Sequence, residues 1–185
     1  MKELRELGML GVMLILGICT FTGCGSSTQT KAVSPEKPAT VSEIKRGTTV
    51  GQIAPDFDLE KTDGTKISFK DLEGSPSVLV FWTAWCPVCK EEAPKINKLA
   101  AEFEAKGVKV VGINIGESEA RIAEGIKDFG IKYAVAKDKD TSVAKNYKII
   151  GTPTVVFLDK KGAVQYFGNE LPKDYATRLN TALTN

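Results

Sequence analysis

The sequence predicts an α/β fold in which helices cover both faces of one mixed central sheet. Apolar runs alternate with segments of helical periodicity through the middle of the chain, a pattern typical of strands joined by helices. Two further pairs of short runs are separated by turn sequences at residues 62–65 and 159–162, and these pairs predict hairpins. The 185 residues, 42% of them hydrophobic, fit one domain with a real core plus additional segments.

The first half of the domain is predicted as a hairpin, a buried strand and a helix. Residues 54–59 alternate apolar and polar side chains, and residues 67–69 follow after an Asp-Gly turn. Residues 77–82 are continuously apolar after the first position, as expected of a strand that is buried on both faces. The next segment, from residue 90, has helical periodicity and stops at Gly107.

The second half continues the alternation and then ends in a hairpin and a helix. Residues 108–115 predict a strand, and Ser118 is a suitable N-cap for a helix that ends at Phe129. The remaining predictions are a short strand at 133–136, a short helix at 142–147, a hairpin of 154–158 with 163–167, and a last helix from about Pro172.

A Cys-x-x-Cys motif, Cys86-Pro87-Val88-Cys89, lies where the buried strand gives way to the helix. Two thiols at this spacing can close a small disulfide ring. The first would sit at the helix N-terminus, where unpaired N–H groups and the helix dipole favour a thiolate. The motif therefore indicates reversible thiol–disulfide exchange.

Composition excludes several other kinds of chemistry. The chain has no histidine, which removes His-based acid–base catalysis, His-activated nucleophiles and most transition-metal sites. A structural zinc site needs four Cys or His ligands. If the chain is cut just before Cys24 and that thiol is lipidated, Cys19 is lost as well and only the motif pair remains. The net charge is +2, with 25 basic and 23 acidic residues well mixed, so no basic stripe indicates nucleic acid.

The beginning of the chain is predicted as a targeting segment. Lys2 and Arg5 precede an apolar run, from Leu7 to Phe21, that is short for a membrane-spanning helix. Its last residues, Phe21-Thr22-Gly23-Cys24, resemble the lipobox of bacterial lipoproteins, which implies a signal peptide over 1–23 and a lipidated Cys24. An uncleaved N-terminal anchor is the alternative. Residues 24–48 are rich in Ser, Thr, Pro, Lys and Glu, and they predict a flexible linker.

Residues from about Val50 to the C-terminus resemble the thioredoxin superfamily. The resemblance rests on the order of elements and on two motifs, Trp85-Cys86-Pro87-Val88-Cys89-Lys90 and Gly151-Thr152-Pro153-Thr154. The initial hairpin and the lipoprotein-like beginning are similar to the TlpA/ResA-like branch of membrane-anchored, extracytoplasmic thiol–disulfide oxidoreductases. The resemblance implies a thioredoxin-like fold over 49–185 with an added N-terminal β-hairpin.

The resemblance also implies roles for individual residues. Cys86 matches an exposed attacking thiol, and Cys89 matches a buried resolving thiol. Glu92 matches an acid that ResA-like proteins place near the thiols, and it is the third catalytic candidate. Pro153 matches a cis-proline that faces the pair. The implied substrate-binding residues are Trp85, Pro87, Thr152 and Pro153.

One position departs from the thioredoxin pattern. Thioredoxins have a buried acid six residues before the first cysteine, and here that residue is Val80. Glu92 or a water molecule would then have to accept the proton of the resolving thiol. Alternatively, Glu92 is an ordinary first-turn acid that complements the helix dipole at the surface. Both interpretations are open from the sequence.

The leading prediction of function is an extracytoplasmic reductase of protein disulfides, with no cofactor beyond the Cys86–Cys89 pair. The resemblance implies protein thiol substrates such as apocytochrome c, a membrane electron donor, a lipid anchor and a monomeric protein that does not bind nucleic acid. A thiol peroxidase is the first alternative, because Thr83-Ala84-Trp85-Cys86 matches the Thr-x-x-Cys of peroxiredoxins. Against this alternative, Leu79 stands where peroxiredoxins have a proline, and no arginine lies where a peroxidatic arginine is expected. A redox-inert binding module is the second alternative.

Overall fold

The computed structural model describes residues 46–185. The predicted signal peptide over 1–23, Cys24 and the linker up to residue 45 lie outside the described residues. Within 46–185, no helix combines the length and the apolar character needed to cross a membrane.

The described residues form a seven-stranded sheet and the helices that pack on it. The elements are β1 (Asp58–Lys61), β2 (Lys66–Ser68), β3 (Ser77–Trp82), α1 (Pro87–Phe103), β4 (Lys109–Ile115), α2 (Glu119–Phe129), β5 (Ala134–Asp138), α3 (Ser142–Asn146), β6 (Thr154–Leu158), β7 (Val164–Gly168) and α4 (Tyr175–Thr184). Two short 3₁₀ helices cover Phe69–Leu72 and Glu104–Lys106.

The sheet is mixed, as predicted. Its strand order is β2-β1-β5-β4-β3-β6-β7. The three strands β3, β4 and β5 run parallel, while β6 and β7 add to one side as an antiparallel hairpin. The predicted N-terminal hairpin, β1 with β2, joins the other side through antiparallel pairing with β5.

The central strand β3 is buried along its whole length because its two faces belong to two different cores. Val78, Val80 and Trp82 pack on one face with residues of α1, α2 and α4. Leu79 and Phe81 pack on the opposite face, which α3 and the first 3₁₀ helix cover. This two-sided burial explains the continuous apolar run in the sequence and confirms that helices lie on both faces of the sheet.

Several predicted boundaries are wrong. The first strand begins at Asp58 rather than at residue 54, and Phe69 belongs to a 3₁₀ helix rather than to the hairpin. Strand pairing stops at Ser68 because its backbone N–H (2.8 Å) and its hydroxyl (2.7 Å) donate hydrogen bonds to the Asp71 carboxylate in the 3₁₀ helix. The last helix begins at Tyr175 rather than near Pro172.

Candidate active site

The dithiol lies at the carboxyl end of β3, where the chain turns into α1. Cys86 is the N-cap of α1, with φ −87° and ψ 110°, and its Sγ accepts a hydrogen bond from the Cys89 backbone N–H at 3.2 Å. Pro87 occupies the first helical turn, where its missing N–H leaves no hydrogen bond unmade. The predicted placement of the first thiol at a helix N-terminus is confirmed, and both cysteines are free thiols in the structure.

The prediction of an exposed Cys86 is wrong. Only 3% of its surface is accessible to solvent. The reason is the loop that precedes β6, because the Cys86 thiol donates a hydrogen bond to the Thr152 carbonyl oxygen at 3.2 Å. A substrate sulfur must therefore compete with this contact to reach the thiol.

Cys89 is also buried, with 4% of its surface accessible. Burial, followed by the hydrogen bond with Cys86, raises the pKa of its thiol to about 12, against smaller lowering contributions from Thr83 and Thr152. At neutral pH this thiol is protonated, so it needs a proton acceptor before it can act as a nucleophile.

The loop opposite the dithiol is fixed by several polar contacts. The Thr152–Pro153 peptide bond is cis, as the resemblance implies. The hydroxyl groups of Thr152 and Thr83 lie 3.4 Å apart, which joins this loop to the residues before the motif. On the other side, the Asn169 amide donates to the Pro153 carbonyl at 3.0 Å. The loop is therefore held against the thiol pair from two directions.

The other two implied substrate-binding residues lie at the surface. Pro87 is exposed, and Trp85 has 68% of its surface accessible. Both immediately flank Cys86 in the chain. The structure thus surrounds a buried thiol with exposed side chains that a substrate can contact.

Glu92 is not a first-turn surface acid, so that interpretation is wrong. It lies in the second turn of α1, and only 6% of its surface is accessible. Its carboxylate pairs with the Lys95 ammonium at 2.5 Å and accepts a hydrogen bond from the Leu171 N–H at 3.4 Å.

A small cavity joins Glu92 to the resolving thiol. Its volume is about 10 Å³, close to the minimum that one water molecule requires. Glu92, Cys89, Pro153 and Val80 are among the residues that line it. Val80 stands where thioredoxins have their buried acid. Among the described residues that line this cavity, Glu92 is therefore the one that brings a carboxylate near Cys89. Tyr133 lines the same cavity, and burial, followed by the charge of Cys89, raises the pKa of its hydroxyl.

Sequence reasoning missed a polar contact that holds the loop before the motif. One carboxylate oxygen of Glu117 accepts hydrogen bonds from the Ala84 backbone N–H and from the Asn114 side-chain amide, each at 2.7 Å. Asn114 is fully buried at the carboxyl end of β4, beside Trp82. A buried asparagine at the end of a strand was the one available signal, but it does not identify its partner.

In the described chain no arginine forms a hydrogen bond or an ion pair with the dithiol. Arg46, Arg121 and Arg178 each form an ion pair with a nearby acid, Asp56, Glu124 and Asp174 respectively. The Thr83 hydroxyl, the possible peroxidatic threonine, contacts Thr152. These positions match the sequence argument against a peroxidatic site.

The chain is similar to known proteins that are named for disulfide exchange. Thiol-disulfide oxidoreductase ResA of Bacillus cereus is 35% identical over 115 residues, which are 62% of this chain and 66% of that protein. Among solved structures, a candidate thiol:disulfide interchange protein DsbE from Chlorobium tepidum has a TM-score of 0.68 and 28% identity, over 74% of this chain and 99% of that one. A secreted Mycobacterium tuberculosis disulfide oxidoreductase homologous to E. coli DsbE has a TM-score of 0.58 and 26% identity, over 69% and 94%.

The family assignment rests on a separate match. The AhpC/TSA family matches residues 50–167, which are more than half of the chain. This range contains the dithiol, Glu92, Glu117 and the cis-proline loop. The protein therefore belongs to the AhpC/TSA family, on a thioredoxin-like fold.

Proposed function

We propose that this protein is an extracytoplasmic thiol–disulfide oxidoreductase that reduces protein disulfides. The observation that carries the proposal is the Cys86–Cys89 dithiol at the start of α1, with Cys86 Sγ 3.2 Å from the carbonyl oxygen of Thr152. Relatives named as thiol-disulfide oxidoreductases support the same activity. A redox-inert binding module would have no use for a buried, paired dithiol.

In the first step the Cys86 thiolate attacks one sulfur of a substrate disulfide. A bond forms between Cys86 Sγ and that sulfur, the substrate S–S bond breaks, and the second substrate sulfur leaves as a thiolate that takes up a proton. The Cys89 backbone N–H, 3.2 Å from Cys86 Sγ, and the dipole of α1 stabilise the negative charge on the attacking sulfur.

In the second step Cys89 loses its proton and attacks Cys86 Sγ. The mixed disulfide breaks, the first substrate sulfur leaves as a thiolate, and the Cys86–Cys89 disulfide forms, so two electrons pass to the substrate. Glu92 is the proposed acceptor of the Cys89 proton, through the small cavity that both residues line. An external dithiol then returns the two electrons.

We propose that the protein reduces its substrates rather than oxidising them, because of the residues that lie between the two thiols. Pro87 and Val88 carry no cation that would over-stabilise the thiolate and make the couple oxidising. The expected potential lies nearer to about −270 mV, as in thioredoxin, than to about −120 mV, as in a strong oxidant. Equilibration against a series of glutathione buffers measures it, and a value above about −180 mV would reject the reducing direction.

The proposed setting is the outer face of a bacterial membrane. A lipid on Cys24 anchors the protein as a monomer, a membrane dithiol protein re-reduces it, and apocytochrome c is the proposed substrate in cytochrome c maturation. The apolar run that ends at Gly23-Cys24 and the relatives named ResA support this setting.

Cys24→Ala should abolish lipidation and processing. An unmodified Cys24 in the native membrane-bound protein, seen by mass spectrometry, would contradict the anchor.

One experiment separates the proposed activity from a peroxidase. The wild-type protein and Cys86→Ser are tested for reduction of insulin disulfides and for consumption of hydrogen peroxide, with dithiothreitol as the electron source. We expect insulin reduction by the wild type and none above background by Cys86→Ser. Peroxide consumption much faster than insulin reduction would assign the protein as a peroxidase instead.

A further inference from the structure

Glu92 is an acid in a part of the molecule that is nearly closed to water. Only 6% of its surface is accessible, and it lines the cavity that it shares with Cys89. Burial favours a neutral acid over a carboxylate, because a charge that is taken out of water loses its hydration. A neutral acid is a poor acceptor for the Cys89 proton, so the resolving step depends on the group that keeps Glu92 ionised.

Lys95 supplies the positive charge that is paired with Glu92 in the described part of the chain. Its ammonium lies 2.5 Å from Glu92 Oε1, one turn further along α1. The other oxygen, Oε2, accepts a hydrogen bond from the Leu171 backbone N–H, which is longer, at 3.4 Å, and carries no full charge. The hydrogen bond with Glu92 raises the pKa of Lys95, so Lys95 is cationic at neutral pH.

The other titratable groups around Glu92 do not compensate its charge, because none of them forms a cation. They are Cys89 and Tyr133, which line its cavity, and Tyr166 and Glu170, in β7 and in the loop after it. Lys95 has 58% of its side-chain surface accessible and is not among the residues that line the cavity. It therefore acts on Glu92 rather than on the thiol.

We propose that Lys95 is a positioning residue for the resolving step, because it keeps Glu92 ionised and holds one carboxylate oxygen while the carboxylate receives the Cys89 proton. The proposal rests on the proposed function and deepens it. A carboxylate oxygen that accepts one hydrogen bond has a second lone pair that can still take a proton.

The step balances without a further reactant. The proton passes from Cys89 Sγ to Glu92, the Cys89 thiolate attacks Cys86 Sγ, and the substrate sulfur leaves with the electron pair of the broken mixed disulfide. Glu92 then returns its proton to solvent, and the charge pair with Lys95 is restored.

The test measures the resolving step by itself. A mixed disulfide between Cys86 and glutathione is formed at low pH, where Cys89 stays protonated, and its decay is followed after a jump to pH 7. We expect Lys95→Met to slow the decay about tenfold, which is part of the factor of about 10²–10⁴ that general acid–base catalysis supplies. Lys95→Arg keeps the charge and should recover most of the rate. Lys98→Met is the matched control, because Lys98 is an exposed lysine that lines the same surface groove as Lys95, and it should decay at the wild-type rate.

Two further measurements show whether Lys95 acts through Glu92. In a Glu92→Gln background, Lys95→Met should cause no further loss of rate. Infrared spectra at pH 7 should show an additional C=O band of a protonated carboxylic acid in Lys95→Met, which the wild type and the double variant lack.

Three results would contradict the role of Lys95. A wild-type decay rate in Lys95→Met, or an undiminished loss in the Glu92→Gln background, would overturn it and leave the proposed function intact. Equal slowing by Lys95→Met and Lys98→Met would assign the effect to net charge and overturn it as well. Failure of the wild type to resolve the mixed disulfide at all would reject the proposed function and the role of Lys95 with it.

Discussion

Burial of Cys89 determines how its reaction depends on pH. Because burial raises its pKa to about 12, the thiol is protonated at pH 7, so the resolving step depends on removal of a proton. The thiol is protonated below this pKa and gains nucleophilicity as pH rises. Without an acceptor, the rate of the step should increase about tenfold per pH unit between pH 7 and 10.

Glu92→Gln should therefore change how the resolving step depends on pH. If the buried carboxylate accepts the Cys89 proton, the wild type should release the reduced substrate faster than the variant at pH 7, and its rate should rise less steeply with pH. Single-turnover decay of a preformed mixed disulfide at Cys86 measures both rates. Glu91→Gln is the control, because Glu91 is exposed on the same helix. Identical pH slopes in the wild type and Glu92→Gln would contradict the proposed role of Glu92.

A second prediction concerns the hydrogen bonds that Glu117 accepts near the motif. Glu117→Ala removes the acceptor for the Ala84 N–H and the Asn114 amide, and so loosens the loop that presents Trp85 and Cys86. We expect kcat/KM for insulin reduction to fall about tenfold, with a loss of about 1.5–3 kcal/mol in stability for a charged hydrogen bond.

Two variants separate positioning from general destabilisation. Glu117→Gln retains a carbonyl acceptor for the Ala84 N–H and should recover much of the activity. Glu124→Ala removes an exposed acid that pairs with Arg121 in helix α2, and it should leave activity unchanged. Equal activity of Glu117→Ala and Glu124→Ala would show that the Ala84 contact does not matter for the reaction.

The close contact between α2 and the end of β3 is the main packing constraint at the level of elements. A Cβ atom on Gly125 would lie 2.7 Å from the Ala84 Cβ and 2.9 Å from the Trp82 ring. Alanine in a helix interior usually stabilises relative to glycine by about 0.5–1 kcal/mol. Here the steric conflict is the larger effect, because overpacking a core costs about 1–3 kcal/mol.

Gly125→Ala should therefore lower the melting temperature and also the disulfide-reduction rate, since the displaced residues lead into the motif. Thermal unfolding followed by circular dichroism measures the first effect. Ala123→Gly, on the same helix, calibrates helix propensity alone. A higher melting temperature for Gly125→Ala would contradict the close packing of α2 on Trp82 and Ala84.

The sequence predicted most elements, but it did not predict which face each helix covers. In β3 both faces are apolar, so no alternation distinguished Val78 and Val80 from Leu79 and Phe81. The dithiol, Glu92 and the cis-proline loop were recognisable because they belong to short motifs. Glu117 was not, since its role depends on a backbone N–H that is 33 residues away. The burial of Cys86 likewise depends on the loop at Thr152, which is 66 residues away.

At the scale of the whole molecule, the dithiol lies far from the point where the described chain begins. The Ala54 and Gly51 N–H groups bond to Gly162 and Val164, beside the turn between β6 and β7. Because β6 is antiparallel to β3, this turn lies near Ser77, at the opposite end of β3 from the dithiol. Six residues of strand separate the two ends by about 20 Å. The described chain thus begins near one end of β3, and the thiols lie at the other end.

The most direct measurement is trapping of the exchange intermediate. Cys89→Ser is reduced, incubated with a disulfide-bonded protein substrate such as insulin, quenched with acid and examined by mass spectrometry. We expect a stable mixed disulfide between Cys86 and the substrate, absent in Cys86→Ser and only transient in the wild type. Full multiple-turnover activity in Cys89→Ser, or a substrate adduct on a residue other than Cys86, would contradict dithiol exchange through this pair.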